Sequence, residues 1–323
     1  MRFALAFFIC STISPMISAA HAFDIQGHRG ARGLAPENTL AAFAKALQIG
    51  VSTLELDTAI TSDGVVVVSH SPRLNPDITR GPDGRWLQHP TPAINDLTEH
   101  ELQRYDVGRI RPGSDYSRRF PDQRRIDRVR IPTLASVFKL ARGATGVRFN
   151  IETKVSPLQP EDTPPPQEFA RVLVELVLAE GMAQRVTIQS FDWRTLVTVR
   201  KLAPQIETSH LSAQLPAIDN IQAGRESPWT AGIQYRDHGS VPKMVKAAGG
   251  QVWSPDQGNL TQEQVREAKS LGLKVLPWTV NDPAAMDRLI GWGVDGIISD
   301  YPDRLREAAA ARRLPLPAPH PLR

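Results

Sequence analysis

Within about forty residues the chain sets out His28-Arg29-Gly30, Pro36-Glu37-Asn38-Thr39, Glu55-Leu56-Asp57 and Ser69-His70. The set holds two imidazoles, a guanidinium and two carboxylates two positions apart. Hydrolysis of a phosphodiester needs these parts: a cationic clamp, a hard-metal site, and two groups that pass protons near neutral pH. Side chains alternate across a strand, so Glu55 and Asp57 point the same way. Two carboxylates in one space repel unless a cation lies between them. Glu152 ends another strand-like run and adds a third acid. Glu55, Asp57 and Glu152 therefore form a candidate oxygen site for one divalent cation, Ca²⁺ or Mg²⁺. The plain alternative is a solvated charge pair at a strand end.

Arg29 and Lys154 are the candidate phosphate partners. A guanidinium clamps two oxygens at once and an ammonium adds a point charge. A salt bridge from Lys154 to Glu152 or Asp57 is the alternative, and the two roles are compatible. His28 and His70 are the candidate acid and base. One stands beside a phosphate-type arginine and the other follows an Asp63-Gly64 turn. His89, His100, His210, His238 and His320 lack such neighbours and are read as structural. Asn38 or Thr39 is expected to cap the following helix, and Glu37 is a candidate support for the histidines. Trp278 offers either a flat wall for a glycerol or choline moiety or packing at a rim. Gln189, Ser190 and Phe191 are candidates to line the same pocket.

Eight strand-like runs, at 24–27, 53–58, 148–153, 186–189, 206–211, 251–253, 274–277 and 296–299, alternate with helical ones. That is the pattern of a parallel α/β fold. Leu40, Phe43, Ala44 and Leu47 follow helical spacing up to Gly50; Phe169, Val172, Leu173, Leu176 and Val177 do so up to Gly181. Thr261-x-x-Gln264 reads as a capping box and Asp282-Pro283 as a helix start. Eight such units predict a (β/α)8 TIM-type barrel over residues 23–313, and the polar outliers fall at strand ends, where such barrels place their chemistry. Residues 71–130 break the alternation and are expected to be an insertion after the second strand that caps the barrel mouth with little regular structure. Residues 215–239 read as a surface loop, and the proline-rich tail 314–323 as disordered.

The first 22 residues read as a secretory signal, with Arg2, an apolar run over 3–19 and the small-x-small site Ala20-His21-Ala22. Cleavage there makes Phe23 the mature N-terminus, in a periplasmic or exported protein without stable membrane insertion. An uncleaved anchor is the alternative, weakened by Ser11, Thr12, Ser14 and Pro15. The only cysteine, Cys10, lies inside this leader, so the mature chain has no disulfide, thiolate ligand or cysteine nucleophile. The formal net charge of +4 over 323 residues suits anionic small molecules. With no lysine-rich run or aromatic-basic stripe, nucleic acid is not an expected partner.

Taken in order, these motifs resemble the glycerophosphodiester phosphodiesterase family, in the phosphatidylinositol-phospholipase-C-like barrel superfamily. The resemblance also rests on Ile131-Pro132-Thr133-Leu134, Ile151-Glu152-Thr153-Lys154, Trp278-Thr279-Val280-Asn281 and Gly296-Ile297-Ile298-Ser299-Asp300-Tyr301-Pro302. It runs over residues 27–303 and, through Tyr105-Asp106-Val107-Gly108, extends to secreted members that carry an insertion at 71–130. It implies a divalent cation on Glu55, Asp57 and Glu152, acid–base work by His28 and His70, and hydrolysis of glycerophosphodiesters to sn-glycerol 3-phosphate and an alcohol. Two other readings compete. A sphingomyelinase-D-like or lysophospholipid-cleaving enzyme would use nearly the same residues but needs an apolar lip, which the arginine-rich insertion does not supply. A non-catalytic glycerophosphodiester-binding protein would not need two imidazoles.

Overall fold

The computed structural model describes residues 22–321, so the expected leader lies outside the described residues except for Ala22. Eleven strands form: β1 Asp24–Gly27, β2 Thr53–Ile60, β3 Val66–Val68, β4 Arg148–Thr153, β5 Val186–Ser190, β6 Glu207–Ser212, β7 Gln214–Leu215, β8 Ile218–Asp219, β9 Val252–Pro255, β10 Lys274–Val275 and β11 Gly296–Ser299. Eight of them pair in parallel in the order β10-β9-β6-β5-β4-β2-β1-β11. The two ends of this path meet: Ile298 N–H donates to Pro277 O and Val280 N–H to Ile298 O, each at 3.0 Å. The result is a (β/α)8 TIM-type barrel. Its strands are apolar on their helix-facing sides, where Ile25, Leu54, Leu56, Phe149, Ile151 and Ile188 are fully buried, as a sheet covered by helices requires.

Most elements lie where the periodicity predicts. The seventh run is shorter than expected, ending as a strand at Val275, because Pro277 has no N–H to continue the ladder. The second runs on to Ile60, because β3 folds back antiparallel, with Thr58 opposite Val68 and Ile60 opposite Val66. Gly64, at φ 81°, makes the turn, and this hairpin delivers Ser69 and His70 to the barrel mouth. Helix Leu40–Ile49 is capped by Thr39, whose hydroxyl accepts from Ala42 N–H at 3.2 Å. Its buried face is Ala42, Phe43, Ala46 and Leu47, while Leu40 stays exposed. The caps at Thr261 and Asp282 form as read.

Three loop regions are more ordered than their composition suggests. The insertion has only short helices, Ile94–Asp96, Glu99–Leu102 and Asp115–Arg119. Even so, Leu74, Ile94, Leu102, Val107 and Ile131 close a small second core with Ala59 and Val67 of the β2–β3 hairpin. The stretch 215–239, expected at the surface, includes the β7–β8 hairpin and buries Asn220, Ile221 and Thr230 completely. The tail, expected to be disordered, is tied down over its described part: His320 N–H donates to Leu47 O at 2.8 Å, and Arg306 Nη1 bridges Gly50 O and Pro317 O at 2.7 and 2.6 Å. Among the described residues no helix is long and apolar enough to cross a membrane.

Candidate active site

The site is assembled at the C-terminal ends of neighbouring strands. Asp57 of β2 stands directly beside Glu152 of β4, and Glu55 one pleat below on the same inner face. All three are buried, and each offers a carboxylate oxygen within 4.8 Å of the others'. Gln189 of β5 donates to Glu55 Oε1 at 2.7 Å and Arg29 N–H to Glu55 Oε2 at 2.9 Å. Lys154 Nζ lies 2.8 Å from Glu152 Oε1 and 3.7 Å from Asp57 Oδ1. Asp57 Oδ1 is nevertheless a buried acceptor with no hydrogen-bond donor among the described residues. Burial, and next the charge of Asp57, pushes Glu55 well above the ordinary carboxylate range. Burial also raises Glu152 to about 7 against the pull of Lys154. Asp57 goes the other way: burial would raise it, but Arg29, His70 and Lys154 together hold it low. Three crowded oxygen donors, one of them unsatisfied, fit a hard divalent cation.

The loop after β1 turns sharply to bring His28 and Arg29 over these acids. Arg29 and Asn38 sit in the left-handed region at φ 50° and 54°, and Gly30 at 85°. A Cβ on Gly30 would lie 2.6 Å from the Ala42 backbone, so only glycine fits there. The strain of the two non-glycine residues is held by specific partners. Arg29 Nη1 reaches Glu37 Oε1 at 2.7 Å and Arg29 Nε lies 3.2 Å from Asp57 Oδ2. Asn38 Nδ2 donates to Asp57 Oδ2 at 2.9 Å. Asn38 therefore positions a candidate metal ligand and leaves helix capping to Thr39. Glu37, a candidate support for the histidines, instead holds Arg29 and accepts from the Tyr116 hydroxyl.

His28 Nδ1 lies 2.7 Å from Asp300 Oδ1, and His28 Nε2 lies 3.9 Å from Glu55 Oε2. Burial, with Arg32 beside it, brings His28 down to about 4 in spite of Asp300. The ring is therefore neutral at pH 7. A carboxylate facing Nδ1 requires the proton there, which leaves the Nε2 lone pair open to the cavity. Burial, then Arg29 and Lys154, likewise hold His70 well below its ordinary value. Both imidazoles, Arg29, Lys154, Glu55 and Glu152 line one cavity of about 200 Å³. Trp278 packs at the rim of the cavity. It lines that cavity, its Nε1 donates to Ser254 O at 2.9 Å, and its ring meets Phe191 edge-on at 5.4 Å. Gln189 and Phe191 line the cavity as well. His210 is buried against Trp193, away from it.

Three groups escaped the sequence reading. Asp300, directly after β11, is the acceptor for His28. Arg32 grips the same carboxylate with Nε to Oδ1 at 2.6 Å and Nη2 to Oδ2 at 3.0 Å. Tyr116 reaches in from the insertion. Asp300 had a findable signal, since it directly follows the strand beside β1 inside the Ser299-Asp300-Tyr301-Pro302 motif. Tyr116 had none.

A (β/α)8 barrel that gathers acids, imidazoles and phosphate-type cations at its C-terminal mouth has the architecture of a phosphoryl-group hydrolase. Residues 28–304 match the model of the glycerophosphoryl diester phosphodiesterase family, and the chain belongs to that family of enzymes. Over 279 residues it is 31% identical to a glycerophosphodiester phosphodiesterase of Caldanaerobacter subterraneus subsp. tengcongensis, covering 86% of this chain and 94% of that one. It is also 31% identical to a Bacillus subtilis enzyme of the same name, covering 85% and 83%. The crystal structure of a Silicibacter pomeroyi DSS-3 protein with the same family designation superposes with TM-score 0.82 at 36% identity, covering 91% of this chain and 95% of that one.

Proposed function

We propose that the protein hydrolyses glycerophosphodiesters to sn-glycerol 3-phosphate and an alcohol, with His28 and His70 as the proton-transfer pair and one Ca²⁺ or Mg²⁺ on Glu55, Asp57 and Glu152. The observation that carries this reading is the shared cavity: Glu55, Glu152, both imidazoles, Arg29 and Lys154 face one space of substrate size, with Asp57 beside the two acids. A bound cation would offset charge on a phosphate oxygen and lower the pKa of a nearby hydroxyl. Arg29, fixed by Glu37 and Asp57, presents its guanidinium to the phosphate, and Lys154 adds a second positive charge as the P–O bond breaks. His28 Nε2 takes the proton of the nucleophile, a glycerol hydroxyl or water, while Asp300 stabilises the imidazolium that forms. The bound phosphate partly offsets Arg29 and Lys154, two of the charges that depress His70. His70 thereby gains a proton in the complex and passes it to the departing alkoxide. A protein of the same fold from Oleispira antarctica, solved with the product sn-glycerol-3-phosphate, supports the product assigned here.

Replacing His28 or His70 by alanine should lower turnover of glycerophosphoglycerol or glycerophosphocholine by about 10²- to 10⁴-fold, with the melting transition retained. Near-normal turnover in both variants would rule out the assignment. Chelation should abolish turnover, and added Ca²⁺ or Mg²⁺ should restore it.

A further inference from the structure

The catalytic groups act on the phosphate and leave open which alcohol the diester carries. Residues 104–130, the second half of the insertion, contain nine arginines, no lysine and only four carboxylates. Their surplus of positive charge exceeds the formal +4 of the whole chain. This segment lies at the rim of the catalytic cavity. The Tyr116 hydroxyl accepts from Arg32 Nη1 at 3.3 Å, and the Phe120 ring lies 4.6 Å under the Arg32 guanidinium. Gln123 Nε2 donates to Arg32 O at 2.7 Å and Arg124 N–H to Leu34 O at 3.0 Å. Arg119, Arg124 and Arg125 are exposed along this stretch, and none has a carboxylate partner among the described residues.

The cavity itself repeats that sign. Glu55 and Glu152 are the only carboxylates lining it among the described residues, and both belong to the candidate cation site. Phe191 and Trp278 form its aromatic wall, but Lys154 Nζ already lies 5.8 Å from the centre of the Phe191 ring. A quaternary ammonium seated on that wall would have to share it with another cation. A choline or ethanolamine group therefore finds guanidinium and ammonium groups without a free counter-charge. A polyol or an anionic alcohol meets no such penalty.

We propose that the basic rim and the cation-bearing wall select glycerophosphodiesters whose alcohol is uncharged or anionic over those whose alcohol is cationic. Arg119, Arg124 and Arg125 act in this as specificity determinants, through long-range attraction rather than contact. The proposal rests on the function proposed above and deepens it by naming the substrate class. Glycerophosphoglycerol has one net negative charge and glycerophosphocholine none, so a positive rim raises the capture rate of the first alone.

The test is the ratio of kcat/KM for these two diesters, measured on the full-length metal-loaded enzyme. It should favour glycerophosphoglycerol by about tenfold at low ionic strength and shrink at about 1 M NaCl, where the screening length is about 3 Å. The triple variant R119S/R124S/R125S should lower the ratio about threefold through KM for glycerophosphoglycerol, with kcat for both diesters within about twofold of the parent. Preference for glycerophosphocholine, or a ratio that neither salt nor the triple variant moves, overturns the proposal. Absence of turnover on both diesters would instead refute the proposed function. Calorimetric binding of the same two diesters in the slow-turnover H28A background, with and without the triple substitution, then decides the rim's role: a glycerophosphoglycerol preference lost with the triple substitution supports it, and a preference unchanged by it overturns it.

Discussion

The two ends of the barrel use the same kinds of side chain to opposite effect. At the N-terminal end, Glu207 accepts from Lys274 Nζ at 2.7 Å and Thr187 Oγ1 at 3.0 Å, with Arg148 Nη2 at 3.4 Å. Asp24 accepts from Ser52, Thr53 and Gln26 at 2.7–2.8 Å. Asp295 accepts from Val275 N–H at 2.8 Å and Lys269 Nζ at 2.5 Å. Each acid there has a matched set of donors. At the C-terminal end three acids share one space, Asp57 Oδ1 has no donor among the described residues, and two non-glycine residues are held in the left-handed region. Glu207 is drawn below the ordinary carboxylate range by Lys274 in spite of burial, while burial drives Glu55 and Glu152 above it. A fold keeps an arrangement that costs local stability where chemistry needs it, and satisfies its polar groups elsewhere.

Glu152→Gln puts the comparison under the greatest strain. The native value of Glu152, about 7, lies above its ordinary 4.5. The cation-free native state therefore keeps a proton that the unfolded chain releases, and stability falls as pH rises from about 4.5 through about 7. Glutamine keeps an oxygen for Lys154 and never ionises. Without cation at pH 8, Glu152→Gln should melt above the parent, by up to about 3 kcal/mol of stability. Its metal-supplemented kcat should fall by about a thousandfold. Calorimetry and turnover on one preparation check both, and a variant that melts lower at pH 8 would erase the contrast between the two ends.

Asp300→Asn should have the next largest effect. The Asp300 carboxylate accepts from four donors: the His28 ring, Arg32 twice, and Asn281 Nδ2 at 2.7 Å. An amide replaces one acceptor with an NH₂ group. Facing Arg32 and Asn281, that group meets other donors; facing His28, it forces the proton onto Nε2 and would remove the base proposed there. We expect kcat to fall about a hundredfold or more with KM little changed. The ¹⁵N shifts of His28 should report the altered tautomer. Parent-like kcat with parent-like shifts would reduce Asp300 to a rim ion pair of the kind seen at the opposite end.

The barrel was legible because each unit repeats a local pattern: apolar alternation for a strand, helical spacing with a cap, and glycine at the exit. The acids and histidines were legible because polar residues at the ends of apolar runs stand out. The cap fell to Thr39, one of the two residues read for it, while the bond of Asn38 to Asp57 was not legible, because it depends on a positive φ that no spacing reveals. Glu37 lies close to His28 in sequence, yet the turn at Arg29-Gly30 rotates it toward the guanidinium. Tyr116 could not be found from sequence: it arrives from an insertion whose path is set by a small core built from Leu74, Ile94, Leu102 and Val107, none of them in a periodic pattern. The tail's anchoring was equally hidden, because backbone acceptors such as Leu47 O and Gly50 O leave no mark in composition.

Glu207→Gln tests the quiet end and should show the smallest effect. Glu207 titrates lower in the native state than in the unfolded chain. Its ion pairs therefore stabilise the fold above the ordinary carboxylate pKa, and that contribution is lost as pH falls through the lowered native value. Its side chain keeps 22% of its exposure and that of Lys274 37%, so screening by water limits the pair to about 1 kcal/mol. The variant should melt slightly below the parent at pH 7, the gap should close at acid pH, and kcat/KM should stay within about twofold, since the N-terminal face of such a barrel serves stability. A Glu207→Gln protein as stable as its parent at pH 7 but slower in turnover would mean that the two ends are coupled, and that a matched donor set alone does not mark the structural face.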